Sequence, residues 1–224
     1  MNITPVAHIE NDYKSKFAVP RQSGIADIKS KIVFEKEYCD ENAVRELDGF
    51  SHIWLIWGFS ENIDIKKSLT VRPPRLGGNK RVGVFASRSP FRPNNLGLSS
   101  VRLEKVEIIN SKPVLTVSGA DLVSGTPIYD IKPYIKFTDS HPEAVSGFAD
   151  TEEFPVLEVK IDKTLLDRIP DEKQNTLFEI LKNDPRPAYH DDENRDYGFR
   201  FSDYEIKFTV KNDTLEVTDI YDSI

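Results

Sequence analysis

Apolar and polar positions alternate clearly in two stretches of this chain. Ser99 to Ile109 and Val114 to Val117 place every second residue on an apolar face, and Asn110 to Pro113 between them carry turn chemistry, so this region predicts a β-hairpin. A second hairpin is predicted from Tyr204 through Lys211-Asn212-Asp213 to Ile220. Val6 to Glu10 reads as a short first strand. Ile25 to Phe34 carries a looser strand pattern, and Val82 to Ala86 reads as a short strand within loops. His52 to Phe59 is apolar almost throughout, which predicts a central strand covered on both faces. Helical spacing is rarer. Asp40 is placed to cap a short helix with Ala43, Val44 and Leu47 on one face, and Leu177, Ile180 and Leu181 form the stripe of a later helix.

Many short strands with Gly and Pro turns predict a mainly β sandwich or barrel. Around His141 to Thr151 the texture shifts to Pro, Ser, Gly and acidic residues, suggesting a division into residues 1–145 and a small α+β domain, 146–224, holding a strand at Pro155 to Ile161, the later helix and two final strands. Asn11 to Gly24 has little apolar periodicity and is expected to be a long loop, of the length that usually serves function.

Charge changes this picture. The 224 residues carry a formal net charge of -7, yet Ile65 to Leu103 holds nine basic side chains and no acidic one. Pro73, Pro74, Gly77, Gly78, Pro90, Pro93 and Gly97 punctuate that run, so its cations belong on shaped loops, and a localised positive field on an acidic body suits a polyanion such as nucleic acid. Within it Arg72, Arg75, Lys80, Arg81 and Arg92 are the candidates for phosphate contact, and Phe91 for stacking on a loop base.

Other chemistries find little support. No apolar run approaches the roughly 20 residues needed to span a bilayer, and Met1 to Ile9 lacks the features of an export signal. The single Cys39 excludes an internal disulfide and fits a reducing cytoplasm. His8, His52, His141 and His190 have no metal-ligand spacing, so no metal is expected. A dinucleotide fingerprint, a P-loop and a nucleophile elbow are all missing. What remains is a set of polar loops that a barrel could gather at one end: Pro20 to Gln22, Ser60-Glu61, Arg72 to Asn95, and Ser124 to Pro127 with the following Tyr129 to Tyr134.

The segments KFAVPRQSG (Lys16 to Gly24), GFSHIWLIWGF (Gly49 to Phe59), TVRPPRLGGNKRVGVFASRSPFRPNNLG (Thr70 to Gly97) and DLVSGTPIYDIKPY (Asp121 to Tyr134) closely resemble the TsaA-like (YaeB/TrmO) family. DPRPAYH (Asp184 to His190) resembles the signature of the C-terminal domain in its bacterial members. The resemblance implies a single-sheet β-barrel, a homodimer, and a methyltransferase that uses S-adenosylmethionine. It also implies that the acceptor is the exocyclic nitrogen of threonylcarbamoyl-adenosine at position 37 of tRNA. By the same resemblance the cofactor loops correspond to Pro20, Arg21, Gln22, Ser60, Glu61, Arg88, Leu98, Ser124, Gly125, Thr126 and Pro127. The chain departs from the usual family pattern at Ser60-Glu61, where His-Gln is common, and at Ser124, where Asp is.

Methyl transfer needs in-line positioning and an outlet for the proton of the attacking nitrogen, for which Asp130 and Tyr134 are the candidates read from the residues. A noncatalytic RNA-binding barrel, or a methyltransferase acting on another RNA or a small molecule, stands as the alternative.

Overall fold

A computed structural model describes residues 2–17, 19–20, 22–62, 68–73, 80–150, 156–186 and 195–223. Six strands, β1 (Ala7–Glu10), β2 (Lys29–Phe34), β3 (His52–Gly58), β6 (Leu96–Ile109), β7 (Lys112–Ser118) and β8 (Pro127–Pro133), close into a barrel in the order β1-β2-β7-β6-β3-β8. Every neighbouring pair is antiparallel. Two short strands, β4 (Thr70–Val71) and β5 (Val82–Gly83), pair with each other inside the connection from β3 to β6.

Alternation fills the lumen. Ile9, Ile32, Ile53, Leu55, Val101, Leu115, Val117 and Ile128 project inward and are almost wholly buried, as a period of two demands of a closed sheet. The β6–β7 hairpin turns on Asn110 and Ser111, with φ of 52° and 62°, the left-handed pair of a two-residue turn that matches strand twist. In β8 the register shifts opposite Ile56 and Trp57, so Tyr129 is the extra residue of a bulge. Beside it Gly58 leaves room for the Tyr129 ring, against which a Cβ would lie at 2.7 Å.

Several elements differ from the sequence reading. β3 alternates and is not sealed on both faces: Ile53, Leu55 and Trp57 point inward, while Trp54 and Ile56 lie half-buried outside. The apolar outer residue Trp54 is explained by the chain after β8. Its indole N–H donates to Asp139 Oδ2 at 2.9 Å, and its ring packs on Tyr134 at 5.6 Å. After Asp40 there is no α-helix but two 3₁₀ turns, Glu41–Val44 and Leu47–Gly49. Asp40 does cap the first, accepting from the Asn42 N–H at 2.8 Å, but Arg45 is extended and Glu46 left-handed (φ 64°), which breaks any continuous helix and leaves only Val44 buried. Val82 to Ala86 is strand for two residues and then a 3₁₀ turn, Val84–Ala86. β2 begins only at Lys29.

The second unit is a four-stranded sheet, β10 (Tyr197–Phe201), β11 (Tyr204–Lys211), β12 (Thr214–Asp222) and β9 (Glu158–Lys160), with β9 parallel to β12. The turn α2 (Lys163–Leu166) and helix α3 (Asp171–Lys182) cover it, and a further helical turn, α1 (Lys136–Asp139), follows the barrel. Leu177, Ile180 and Leu181 face the sheet as their spacing predicts. β10 joins β11 and β12 as a third consecutive antiparallel strand, where two were expected. The α+β core also takes in Tyr13 and Ile28 from the connection between β1 and β2. Tyr13 forms a β-bridge with Phe201, the Ser202 N–H donates to Asp12 O at 2.9 Å, and Lys173 Nζ donates to Asp12 Oδ1 at 2.8 Å and Ser202 Oγ at 2.7 Å. Among the described residues no helix is long and apolar enough to cross a membrane.

Gly97 sits opposite Trp57, and a Cβ there would lie 2.3 Å from the indole ring. Gly97→Ala must displace that ring or the strand, so a loss of about 1–3 kcal/mol is expected. A melting temperature equal to that of the parent protein would show that the ring is free to move.

Candidate active site at one mouth of the barrel

An antiparallel ring alternates strand ends, and this one places the end of β1, the start of β2, the end of β7, the start of β6, the end of β3 and the start of β8 at the same mouth. The three connections there are residues 11–28, 59–95 and 119–126. The other mouth receives the connection 35–51, the tight β6–β7 turn and the exit from β8. Pro20, Gln22, Ser60, Glu61, Arg88 and Ser124 to Thr126 therefore lie on loops of one rim, Pro127 opens β8 there, and Leu98 stands near the start of β6 with 57% of its surface exposed. Arg21, Arg75 and the Gly77-Gly78 pair fall outside the described residues, as do Pro187 to His190 of the DPRPAYH stretch.

Backbone hydrogen bonds tie this rim together. Gly24 N–H donates to Gly119 O at 2.9 Å, Ser124 N–H to Tyr13 O at 2.9 Å and Gly125 N–H to Ile9 O at 2.7 Å. Gly125 adopts φ 86°, which favours glycine, and Thr126 is buried with its hydroxyl donating to Val123 O at 2.7 Å. Phe59 N–H donates to Asn95 O at 2.9 Å, closing the base of the longest loop. Across the opening, the exposed Arg88 donates from Nη1 to Gln22 Oε1 and so joins two of the predicted cofactor segments.

Beneath the rim lies a polar chain that the residue pattern does not announce. The Trp57 indole N–H donates to Ser99 Oγ at 2.9 Å, and Ser99, 1% exposed, donates in turn to Asp121 Oδ1. The hydroxyl thus serves as acceptor and donor together. The Asp121 carboxylate also accepts from the Ser23 backbone N–H and lies in the field of Arg88. Burial pushes its carboxyl above the ordinary carboxylate range, against the opposing pull of Ser99, the backbone and Arg88. Tyr13, fully buried close by, has its phenol raised by burial first and then by Asp121 and Asp12, and its hydroxyl has no hydrogen-bond partner among the described residues. Asp121 is the first residue of the DLVSGTP motif, but its link to Ser99 and Trp57 arises only when β3, β6 and β7 close together.

The proton-transfer candidates do not join this cluster. Asp130 is paired with Lys132 at 2.9 Å and accepts from the Ile131 N–H at 2.9 Å on the barrel flank. Tyr134 lies seven residues beyond Pro127, about 23 Å at the rise of a strand. Its ring packs on His52 and Trp54 at the opposite mouth.

Of the candidates for RNA contact, Arg72, Lys80 and Arg81 are exposed, and Arg81 donates to Thr70 Oγ1 at 2.7 Å across the β4–β5 ladder. Arg92 departs from the expectation. It is half-buried, and its Nη1 is engaged with Ser87 O at 3.0 Å and Ser89 O at 3.4 Å, bracing the loop from within. Ser87 and Ser89 add side-chain turns of their own, so the loop holds a defined shape with Arg88 and Phe91 outward. Phe91 is 38% exposed, whereas Phe85, which the sequence reading passed over, is 77% exposed on the same loop.

Because the folded state holds the Asp121 proton more tightly than the unfolded chain does, its ionisation opposes folding. That penalty is absent below the ordinary carboxylate range and complete above the raised folded value. Asp121→Asn should therefore gain stability relative to the parent as pH rises from about 4 towards 7. Thermal melts across that range check this, and a relative loss on raising the pH would contradict the assignment.

Comparison with known proteins agrees with this architecture. Residues 8–140 match the model of the tRNA-methyltransferase O N-terminal domain, and residues 156–223 match that of the TrmO C-terminal domain. A tRNA (adenine(37)-N6)-methyltransferase of Escherichia coli strain K12 is 39% identical over 218 residues, covering 93% of each chain. A probable S-adenosyl-L-methionine-binding protein of Methanothermobacter thermautotrophicus is 33% identical over 140 residues, 62% of this chain and 94% of its own. A crystal structure of TrmO from Pseudomonas aeruginosa superposes with a TM-score of 0.80 at 28% identity, covering 100% of this chain and 97% of that one. With both family models matched in order and a full-length relative at this identity, the chain belongs to the tRNA-methyltransferase O family.

Proposed function

We propose that this protein transfers a methyl group from S-adenosylmethionine to the exocyclic N6 of threonylcarbamoyl-adenosine at position 37 of tRNA, acting as a cytoplasmic homodimer whose barrel, residues 1–145, holds the cofactor. The observation that carries this reading is the gathering of three long connections at one barrel mouth, where Arg88 bridges to Gln22 beside a loop of exposed cations. The name of the Escherichia coli relative supplies the position and atom of the acceptor, and that of the archaeal relative the cofactor.

The residues at the mouth fit such a donor. Arg88 suits a carboxylate, Glu61 an ammonium or ribose hydroxyls, the exposed Leu98 an apolar surface, and the glycine-containing Ser124 to Pro127 turn a close approach of backbone to a base edge. When bound, the sulfonium supplies an activated methyl group. The protein's part is to hold the acceptor nitrogen in line with it, since positioning of this kind can contribute roughly 7–11 kcal/mol. The acceptor is a poor nucleophile because its lone pair is delocalised, so alignment matters more than covalent help. As the nitrogen gains the methyl it displaces the thioether of the donor as leaving group, and the nitrogen's proton passes to solvent at the open rim. Asp121, accepting from Ser99 and from the Ser23 backbone in the field of Arg88, serves to hold these parts of the rim in one frame.

A methyl-transfer assay on anticodon stem-loops with and without the threonylcarbamoyl group, read by mass spectrometry of the nucleosides, tests the reading. Methylated product is expected only from the modified RNA. Saturable S-adenosylmethionine binding with no product from either RNA would refute it, and the absence of any cofactor binding would favour a noncatalytic RNA-binding barrel. Replacing Arg88 by Ala should weaken S-adenosylmethionine binding about tenfold, the loss of roughly one charge-assisted hydrogen bond. Calorimetry giving the parent affinity would remove Arg88 from the cofactor site.

A further inference from the structure

The basic loop lies between β3 and β6, but it is not the whole of the positive surface at this mouth. Around the ring β1-β2-β7-β6-β3-β8, the pair diametrically opposite β6 and β3 is β1 and β2. On that side a groove of about 530 Å³ is lined by Lys14, Lys29 and Lys31, with Glu10, Asn11 and Ser124 among its other walls. Lys29 and Lys31 alternate with the buried Ser30 and Ile32, so both point outward from β2, about 6.7 Å apart along the strand. Lys14 joins them from the connection between β1 and β2.

Three ammonium groups in one groove repel each other, and this chain has an excess of carboxylates with which to neutralise them. It does not do so. Among the described residues none of the three lysines forms an ion pair, although Lys31 sits directly across the ladder from Glu10. The Glu10 carboxylate lies instead 3.5 Å from His8 Nε2. The groove is also continuous with the rim, because Ser124 lines it while its Oγ accepts the Asn11 N–H at 3.2 Å. With three lysines against the single carboxylate of Glu10, the groove keeps a net positive charge, and leading into the mouth from the side opposite the basic loop it is matched to an extended chain of phosphates.

We propose that Lys14, Lys29 and Lys31 form a second phosphate-binding groove, which takes the RNA backbone on the far side of the mouth from the Arg72 to Arg92 loop. A looped RNA has phosphates on both sides of any base it presents, and two opposed positive flanks would straddle such a loop and hold its target base over the opening. This deepens the RNA-modifying reading and rests on it, yet it is judged by binding and not by methyl transfer.

The test compares the full-length parent with a Lys14→Gln, Lys29→Gln, Lys31→Gln variant, titrated with unmodified tRNA and with a short oligouridylate over a salt series. The expected result is at least tenfold weaker RNA binding at low salt and a slope of log affinity against log salt shallower by about 2, the release of roughly three phosphate contacts. S-adenosylmethionine affinity should be unchanged, and Lys→Arg at the same positions should restore RNA affinity. Because the three side chains are exposed, retained cofactor binding also certifies the fold. Equal affinity and slope in parent and variant would overturn the proposal. So would a change of oligomeric state by light scattering that alone accounts for the loss, since the groove would then be a subunit contact. Displacement of RNA from the groove by inorganic phosphate at matched ionic strength would point to a discrete anion site and would equally overturn it. A parent that binds RNA with this lysine dependence but yields no methylated nucleoside would refute the assigned reaction and leave the groove standing.

Discussion

The closure of the barrel through β1 and β8 is the constraint on which the rest of the molecule depends. Ala7 pairs with Ile128 and His8 with Pro127, and this short ladder converts an antiparallel sheet into a ring. In a ring whose strands all alternate, every second connection must fall at the same end, so the three irregular segments have no freedom to disperse. The long loops owe their meeting to parity, and the apolar alternation inside β3, β6 and β7 keeps that parity from slipping by one residue.

Closure also creates the interior in which the Trp57–Ser99–Asp121 chain can exist. An indole N–H, a hydroxyl and a carboxylate satisfy one another from the largely apolar lumen out to the half-buried rim, which is the condition on which buried polar groups are tolerated. The arrangement joins the barrel wall to its rim: Trp57 belongs to β3, Ser99 to β6, and Asp121 to the chain leaving β7, with Ser23 reached from the first connection. Gly97 completes it by leaving the indole room to lie flat against the strand.

Much of this was legible in the sequence where the physics is local. The alternation of Ser99 to Ile109 and Val114 to Val117, the turn at Asn110, the hairpin after Tyr204 and the stripe on α3 follow from neighbours a few residues apart. The motifs from Lys16 to Tyr134 pointed to the family. The rest depended on contacts that no local window contains. Trp54 looked like a doubly buried strand residue because its cover, Tyr134 and Asp139, arrives about 80 residues later. Arg92 looked like its neighbours in a basic run until the fold of its own loop turned it inward onto carbonyl oxygens. Asp130 and Tyr134 followed the rim loop closely in sequence, but a strand carries residues away from its starting point at over 3 Å each. Lys14, Lys29 and Lys31 are ordinary solvated charges along the chain and neighbours only around a groove.

The attachment of Asp12 and Tyr13 to Phe201, Ser202 and Lys173 has a thermodynamic consequence. Tyr13, from the connection that frames the opening, is packed into the hydrophobic interior of the second unit with Val19 against it and Ile28 farther along, so the order of that connection and the docking of the second unit are linked. Whatever settles the first connection into a single conformation lowers the free energy of docking the α+β sheet, and by reciprocity a firmly docked sheet favours the settled connection. The C-terminal unit is thereby linked to the energetics of the mouth through the seating of Tyr13 in its core.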